Sequence, residues 1–295
     1  MNRARSVLFG YFPTPQAAAY SRIIENARLI DELGLDLIAI QDHPYQPRFL
    51  DALALLTSVA VQTKKLRVLP DVVNLQMRSP AMLAKWAASL DVMSGGRVEL
   101  GLGAGAFTAA VAAMGGDARE GSVAVSALEE AIAVIRLMWS GERVRFDGRF
   151  YQLGGVHAGP IPAHPIGIWL GAYRPRMLAI TGRLADGWLP SLGFLGTDAL
   201  NDANRRIDDA ATAAGRSPAE ILRIYNIGGR ITDGVSSGFL DGPVDQWIDQ
   251  LTELTVDFGM DGYILGPTED AAEQLRRFAT EVAPRVRENA AAVRT

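Results

Sequence analysis

Short apolar runs alternate with longer stretches of helical period along most of the chain. Eight runs have strand length: residues 6–11, 35–40, 66–73, 97–102, 167–170, 187–190, 222–227 and 261–265. Near-continuous apolar runs of this size suit strands covered on both faces. The segments between them carry helix punctuation. Residues 17–33 stop at Gly34, and glycine is favoured just past a helix end. Ser79-Pro80 supplies an N-cap and a proline for the first turn. Ser217-Pro218-Ala219-Glu220 has the form of a capping box. Val244, Trp247, Ile248, Leu251, Leu254 and Phe258 share one helix face that ends at Gly259. Parallel neighbours need crossover helices, so this alternation predicts an α/β fold with a parallel sheet. Eight repeats favour a closed (β/α)8 TIM barrel over an open sheet. Three stretches, Gly34-Leu35-Asp36, Leu184-Ala185-Asp186 and Gly259-Met260-Asp261, read as one αβ turn used three times.

Two insertions interrupt the repeat. Residues 141–165 precede the fifth strand and contain Phe146-Asp147-Gly148-Arg149-Phe150, a hairpin signal. This αβ connection belongs to the face away from chemistry, so His157 and His164 within it are expected to be structural or exposed. Residues 228–242 follow the seventh strand, are rich in glycine, and are expected as a βα loop, either a lid or merely mobile.

Composition narrows the class. The 295 residues are 48% apolar, enough for one sizeable core, and are expected to form a single barrel domain over 1–295. The net charge is −4 with no basic stripe, which argues against a nucleic-acid partner. The absence of cysteine excludes thiolate metal sites, and the three scattered histidines give no zinc pattern, so no metal is expected. No apolar run reaches the length of a membrane span, and a cytoplasmic protein is the expectation.

In such barrels function gathers where strands end and βα loops begin. The second strand ends in Gln41-Asp42-His43-Pro44, which places a carboxylate and an imidazole for proton transfer or for bonding a polar ring edge. The third gives Asp71-Val72-Val73-Asn74 and then Arg78, polar groups near the mouth. The fourth runs into Gly101-Leu102-Gly103-Ala104-Gly105-Ala106, where missing side chains let backbone approach a flat ring or a phosphate. The fifth ends in Gly171-Ala172-Tyr173-Arg174-Pro175-Arg176-Met177. Small residues leading into a helix start, with an arginine beside it, make an anion site, although an ordinary βα turn reads the same way. Tyr45, Arg48 and Phe107 are candidates for contact with a small-molecule substrate.

Together these segments resemble the bacterial luciferase-like monooxygenase family of flavin- and deazaflavin-dependent enzymes, over about residues 7–278. The resemblance rests on the stretch ending Ile40-Gln41-Asp42-His43, on Ser94-Gly95-Gly96-Arg97-Val98-Glu99-Leu100-Gly101-Leu102-Gly103, and on Ile168-Trp169-Leu170-Gly171-Ala172-Tyr173-Arg174-Pro175. It implies a (β/α)8 barrel, a homodimer or higher homo-oligomer, and a cofactor ring at the mouth. It implies that Asp42 and His43 lie by the reactive ring edge, with His43 as proton donor. Asp71-Val72 matches a strand-end bulge that often holds a non-prolyl cis peptide and backs the ring. Ala104 and Gly105 match the loop that meets the ring, and Gly171, Ala172, Tyr173, Arg174, Arg176 and Met177 match the phosphate end. The Asp-His pair is closer to deazaflavin members, which favours coenzyme F420 and hydride transfer. FMN-dependent monooxygenation is the alternative, and a non-catalytic flavin-binding barrel is a third reading. Ala106 stands where sugar-phosphate dehydrogenases of the family carry a catalytic glutamate, which puts that particular activity in doubt.

Overall fold

The computed structural model describes residues 5–293, and all eight apolar runs contribute to the wall of one barrel. The strands are β1 (Leu8–Tyr11), β2 (Leu37–Ile40), β3 (Arg67–Pro70), β4 (Val73–Asn74), β5 (Leu100–Gly103), β6 (Arg143–Asp147), β7 (Gln152–His157), β8 (Ile168–Leu170), β9 (Gly187–Trp188), β10 (Leu222–Ile231), β11 (Asp241–Gly242) and β12 (Gly262–Pro267). Hydrogen-bonded neighbours follow the order β3-β2-β1-β12-β10-β9-β8-β5-β4, and these pairs are parallel. A bridge between Val68 and Val98 joins the two ends: Val68 N–H donates to the Arg97 carbonyl at 2.8 Å, and Glu99 N–H donates to the Val68 carbonyl at 3.0 Å.

Alternation along the strands sorts the apolar residues into two layers. Leu37, Ala39, Leu69, Trp169, Leu189, Ile224 and Ile264 form one buried cluster, the filling of the barrel. Their neighbours Ile38, Ile40, Val68, Ile168, Leu170, Tyr225 and Tyr263 pack in the larger cluster with the surrounding helices. Gly101 permits the tight closure, because a Cβ there would lie 2.0 Å from the Pro70 carbonyl oxygen. The repeated αβ turn is a clamp. Asp36 accepts from Phe9 N–H at 2.7 Å, Asp186 from Ile168 N–H at 2.9 Å and Asp261 from Arg223 N–H at 3.0 Å. Each carboxylate thereby ties the start of its own strand to a parallel neighbour.

Several local expectations change. The third run breaks at Asp71-Val72 into β3 and β4, and the Asp71–Val72 peptide is cis. Pro80 opens helix Pro80–Ser94 as expected, but the Ser79 side chain makes no capping hydrogen bond. The capping box at Ser217 holds only a single 3-10 turn, Pro218–Glu220, with no side-chain cap, because the chain must enter β10 two residues later. The 141–165 insertion is the antiparallel hairpin β6–β7. His157 on β7 is exposed, and His164 lies with Nδ1 2.8 Å from Asp91. The 228–242 stretch is less of a loop than its glycines suggest. β10 runs through Ile231, β11 pairs with it, and Leu240 is buried, so only residues 233–239 form an exposed excursion.

Candidate functional site

The C-terminal ends of the strands bring the expected segments to one mouth. Val72 lies among them. A Cβ on Gly103 would fall 2.8 Å from its Cγ2, and one on Gly171 would fall 3.3 Å away. Glycine at both positions thus lets the loops after β5 and β8 close around Val72, which packs on the barrel-filling cluster from above. Gly105, at φ 102°, allows the next loop to lie against Gln76, whose amide donates to the Ala104 and Arg119 carbonyls at 2.9 and 2.7 Å. Gln76 fixes the loop after β5, and nothing in its sequence context signalled that.

His43 lies in the loop just past β2 and is half-buried. Its Nδ1 lies 2.6 Å from the Tyr45 hydroxyl. Asn74 Oδ1 accepts from Gln76 N–H at 3.3 Å, which sets the orientation of the Asn74 amide. Either atom of the His43–Tyr45 pair can be the donor: when the Tyr45 proton is given to Nδ1, the neutral ring carries its own on Nε2. Burial lowers its pKa from 6.5, against an opposing pull from the charge of Asp42, so the ring is neutral at pH 7. Burial, with the Asp42 charge, also raises the Tyr45 hydroxyl, which keeps its proton. Phe107 completes an aromatic wall, with ring centroids 5.5 Å from His43 and 5.9 Å from Tyr45.

Asp42 is committed elsewhere. Its side chain is 1% exposed and accepts from Asn74 N–H at 3.1 Å, Arg78 Nε at 2.9 Å and Arg78 Nη2 at 2.8 Å. Burial disfavours the Arg78 charge, but its hydrogen bonds to the Asp42 and Asp51 carboxylates outweigh it and raise its pKa. The sequence placed Asp42 beside His43 as a reacting group. The geometry makes it a buried anchor, and it occupies Nε and Nη2 of Arg78.

At the phosphate end, Pro175 opens helix Pro175–Leu184 at its first position, Arg174 is the N-cap, and no side chain caps the terminus. Arg174 is exposed. Ala172 is buried, and its carbonyl accepts from Trp188 Nε1 at 2.9 Å. Tyr173 is hydrogen-bonded to Ser191, and burial raises its pKa. Two expected contacts point elsewhere. Arg176 donates to the Ser122 carbonyl and the Ser126 hydroxyl and pairs with Glu129, all on helix Gly121–Met138. The Met177 side chain is 7% exposed and belongs to the core, leaving only its backbone near the terminus. A cleft of about 450 Å³ beside Gln76, Arg78, Arg119 and Tyr151 includes neither His43 nor Tyr173, so it adjoins the chemistry rather than containing it.

Similarity to known proteins falls on one group. The F420-dependent glucose-6-phosphate dehydrogenase of Gordonia bronchialis is 29% identical over 198 residues, covering 64% of this chain and 58% of its own length. The 5,10-methylenetetrahydromethanopterin reductase of Methanolobus tindarius is 33% identical over 204 residues, covering 68% of this chain and 58% of its own. The chain thus spans less than two thirds of either relative. An F420-dependent secondary alcohol dehydrogenase, solved in complex with an F420-acetone adduct, aligns with a TM-score of 0.85 at 19% identity over 95% of this chain and 99% of its own, which shows the shared fold. The family model for luciferase-like monooxygenases matches residues 4–228, well over half of the chain, and the protein belongs to that family.

Proposed function

We propose that the protein is an oxidoreductase that uses coenzyme F420 for hydride transfer with a small carbonyl or alcohol substrate, the whole chain acting as one cytoplasmic barrel unit. The observation that carries this reading is the half-buried His43, held through Nδ1 by the Tyr45 hydroxyl and lowered in pKa by burial, which leaves Nε2 for a ligand. A neutral imidazole N–H suits a carbonyl oxygen that gains negative charge: it hydrogen-bonds the oxygen and stabilises that charge, and the proton of the product alcohol comes from solvent. The aromatic wall of Tyr45 and Phe107 gives the substrate side an apolar flank. Ala106 is exposed and has no carboxylate to offer, which speaks against sugar-phosphate oxidation.

The residues fit a ring cofactor with a phosphate. Glycines at 103 and 171 leave Val72 as a flat apolar support, and Asp71 Oδ2 is a buried polar atom without a hydrogen-bond partner. The uncapped helix start at Arg174 supplies N–H groups and a positive charge for the phosphate. When bound, the deazaflavin supplies or takes up the hydride. This chain positions the substrate oxygen through His43, holds the proton at Nε2, and keeps His43 in place through Tyr45 and through Asp42 locked by Arg78. F420 is favoured over FMN by the names of the relatives that match at 29% and 33% identity. Exposed Met82, Val92 and Met93 on helix Pro80–Ser94 support a homodimer or higher homo-oligomer, and a monomeric mass in sedimentation would refute that.

The test is titration of the purified protein with F420 and FMN side by side, following cofactor fluorescence. F420 should bind at least about tenfold more tightly, about 1.4 kcal/mol. Tighter FMN binding, or oxygen uptake with reduced FMN and substrate, moves the protein to the monooxygenase branch.

A further inference from the structure

The floor of the mouth holds a polar group that the hydride-transfer reading does not use. Asp71 ends β3, and Asn226 lies on β10. These strands stand four places apart in a ring of eight, so their side chains meet across the barrel interior rather than along the sheet. The Asp71 residue is 9% exposed, and its Oδ2 is buried without a hydrogen-bond partner. Asn226 is the polar side chain whose influence reaches the carboxyl; it donates from Nδ2 to Ser191 Oγ at 3.1 Å, and its own Oδ1 is buried without a partner. The surroundings offer a carboxylate very little. The influences on it are burial and the Asn226 amide, with no cation among them. Tyr173, on the loop after β8, is a titratable group close enough to feel its charge. At the mouth just past β2, His43 is neutral, and Asp42 is already paired with Arg78. An anion stripped of water and given one neutral donor is costly, and a proton removes the cost.

We propose that Asp71 is held as a neutral carboxylic acid in the resting protein and serves as a hydrogen-bond donor to an acceptor atom of the ligand seated over Val72. The acceptor is a carbonyl oxygen, a ring nitrogen or an oxyanion, and the neutral acid makes the mouth tolerant of an anionic ring. The proton is shared in a hydrogen bond and is not consumed. Burial pushes the Asp71 carboxyl up to about 7, so the donor is fully present in acid solution, shared with the carboxylate near neutrality, and lost as the pH rises through that value. The ligand half of the proposal rests on the ring-cofactor reading of the mouth; the protonation half does not.

Two measurements separate the halves. The first uses the full chain with no ligand and records infrared difference spectra across pH. The carbonyl-stretch band of a protonated carboxylic acid should disappear with a midpoint near pH 7. It should be missing from Asp71→Asn, and also from Asp71→Ser should the asparagine variant fold poorly. A spectrum in which neither variant loses such a band overturns the proposal, whatever the protein binds. The second titrates F420, and FMN if F420 does not bind, across the same range. Wild-type affinity should fall by up to about tenfold per pH unit above the midpoint, while Asp71→Asn should show a flat profile. Equal pH profiles overturn the donor role. Failure of both cofactors to bind overturns the cofactor reading and the ligand half together, and the infrared band still decides the protonation state.

Discussion

Arg78→Ala should be among the most damaging single substitutions near the mouth, although Arg78 touches no substrate. The Asp42 side chain is 1% exposed, and Arg78 provides two of its three hydrogen bonds, at 2.9 and 2.8 Å. Removing the guanidinium strands a buried carboxylate with one backbone donor. Breaking a buried pair from one side costs about 3–5 kcal/mol. Arg78 itself is 18% exposed, so the lower end, about 3 kcal/mol, is the expected loss. That is roughly two powers of ten in the folding equilibrium. The second contact, to Asp51, is 45% exposed on the acid side and adds little. Urea unfolding of the wild type and the variant measures the loss, read as a midpoint shift at constant slope. Arg205→Ala is the control: its pair with Asp202 is 66% and 50% exposed, and it should cost less than about 1 kcal/mol. The double variant Asp42→Leu/Arg78→Met should recover much of the stability, because apolar replacement of both partners removes the stranded charge. A loss below about 1 kcal/mol for Arg78→Ala would mean that Asp42 is solvated, and its role as an anchor for His43 would fall.

Two further outcomes follow from the same electrostatics. Burial holds His43 below its ordinary 6.5 in the folded state, so it contributes stability above that value that is lost as the pH falls through it. His43→Gln should flatten this decline, and unfolding curves at about pH 5 and about pH 8 that differ equally in both proteins would contradict the neutral-histidine assignment. Arg174→Glu should weaken F420 binding by at least about tenfold, about 1.4 kcal/mol. The loss should shrink in high salt because the site is exposed, and unchanged affinity at every salt concentration would place the phosphate elsewhere.

The barrel was legible because its signals are local. Short apolar runs, a glycine after a helix and Pro175 at a first helical turn are each set by a few neighbouring residues. The three-fold Asp turn was legible as a repeat, and the structure gives its reason in the three N–H clamps. Misreadings arose where a distant partner decides. Ser217-Pro218-Ala219-Glu220 has the letters of a capping box, but parallel pairing of Leu222 with Gly187 pulls the chain into β10 before a helix can grow. The glycines after β10 looked like flexibility. At Gly229, with φ 156°, a Cβ would lie 2.0 Å from the Leu240 carbonyl oxygen, so that glycine serves close packing instead.

The same distinction runs through the site. Sequence position told which residues reach the mouth, since strand ends converge there in any such barrel. It did not tell which of them keep a free valence. Asp42, Arg78 and Arg176 all stand in promising positions, yet each is paired. The groups left with unspent hydrogen-bonding capacity include His43 Nε2, the exposed Arg174 beside an uncapped helix start, and the buried Asp71 with its neighbour Asn226. A binding site is defined by such residual capacity, because a group already satisfied gains little from a ligand and loses its partner by turning to it. On that criterion the proposed roles fall on a hydrogen-bond donor toward the substrate, an anion site at the rim and an acid in the floor. None of the three is distinguishable from its paired neighbours by residue type alone.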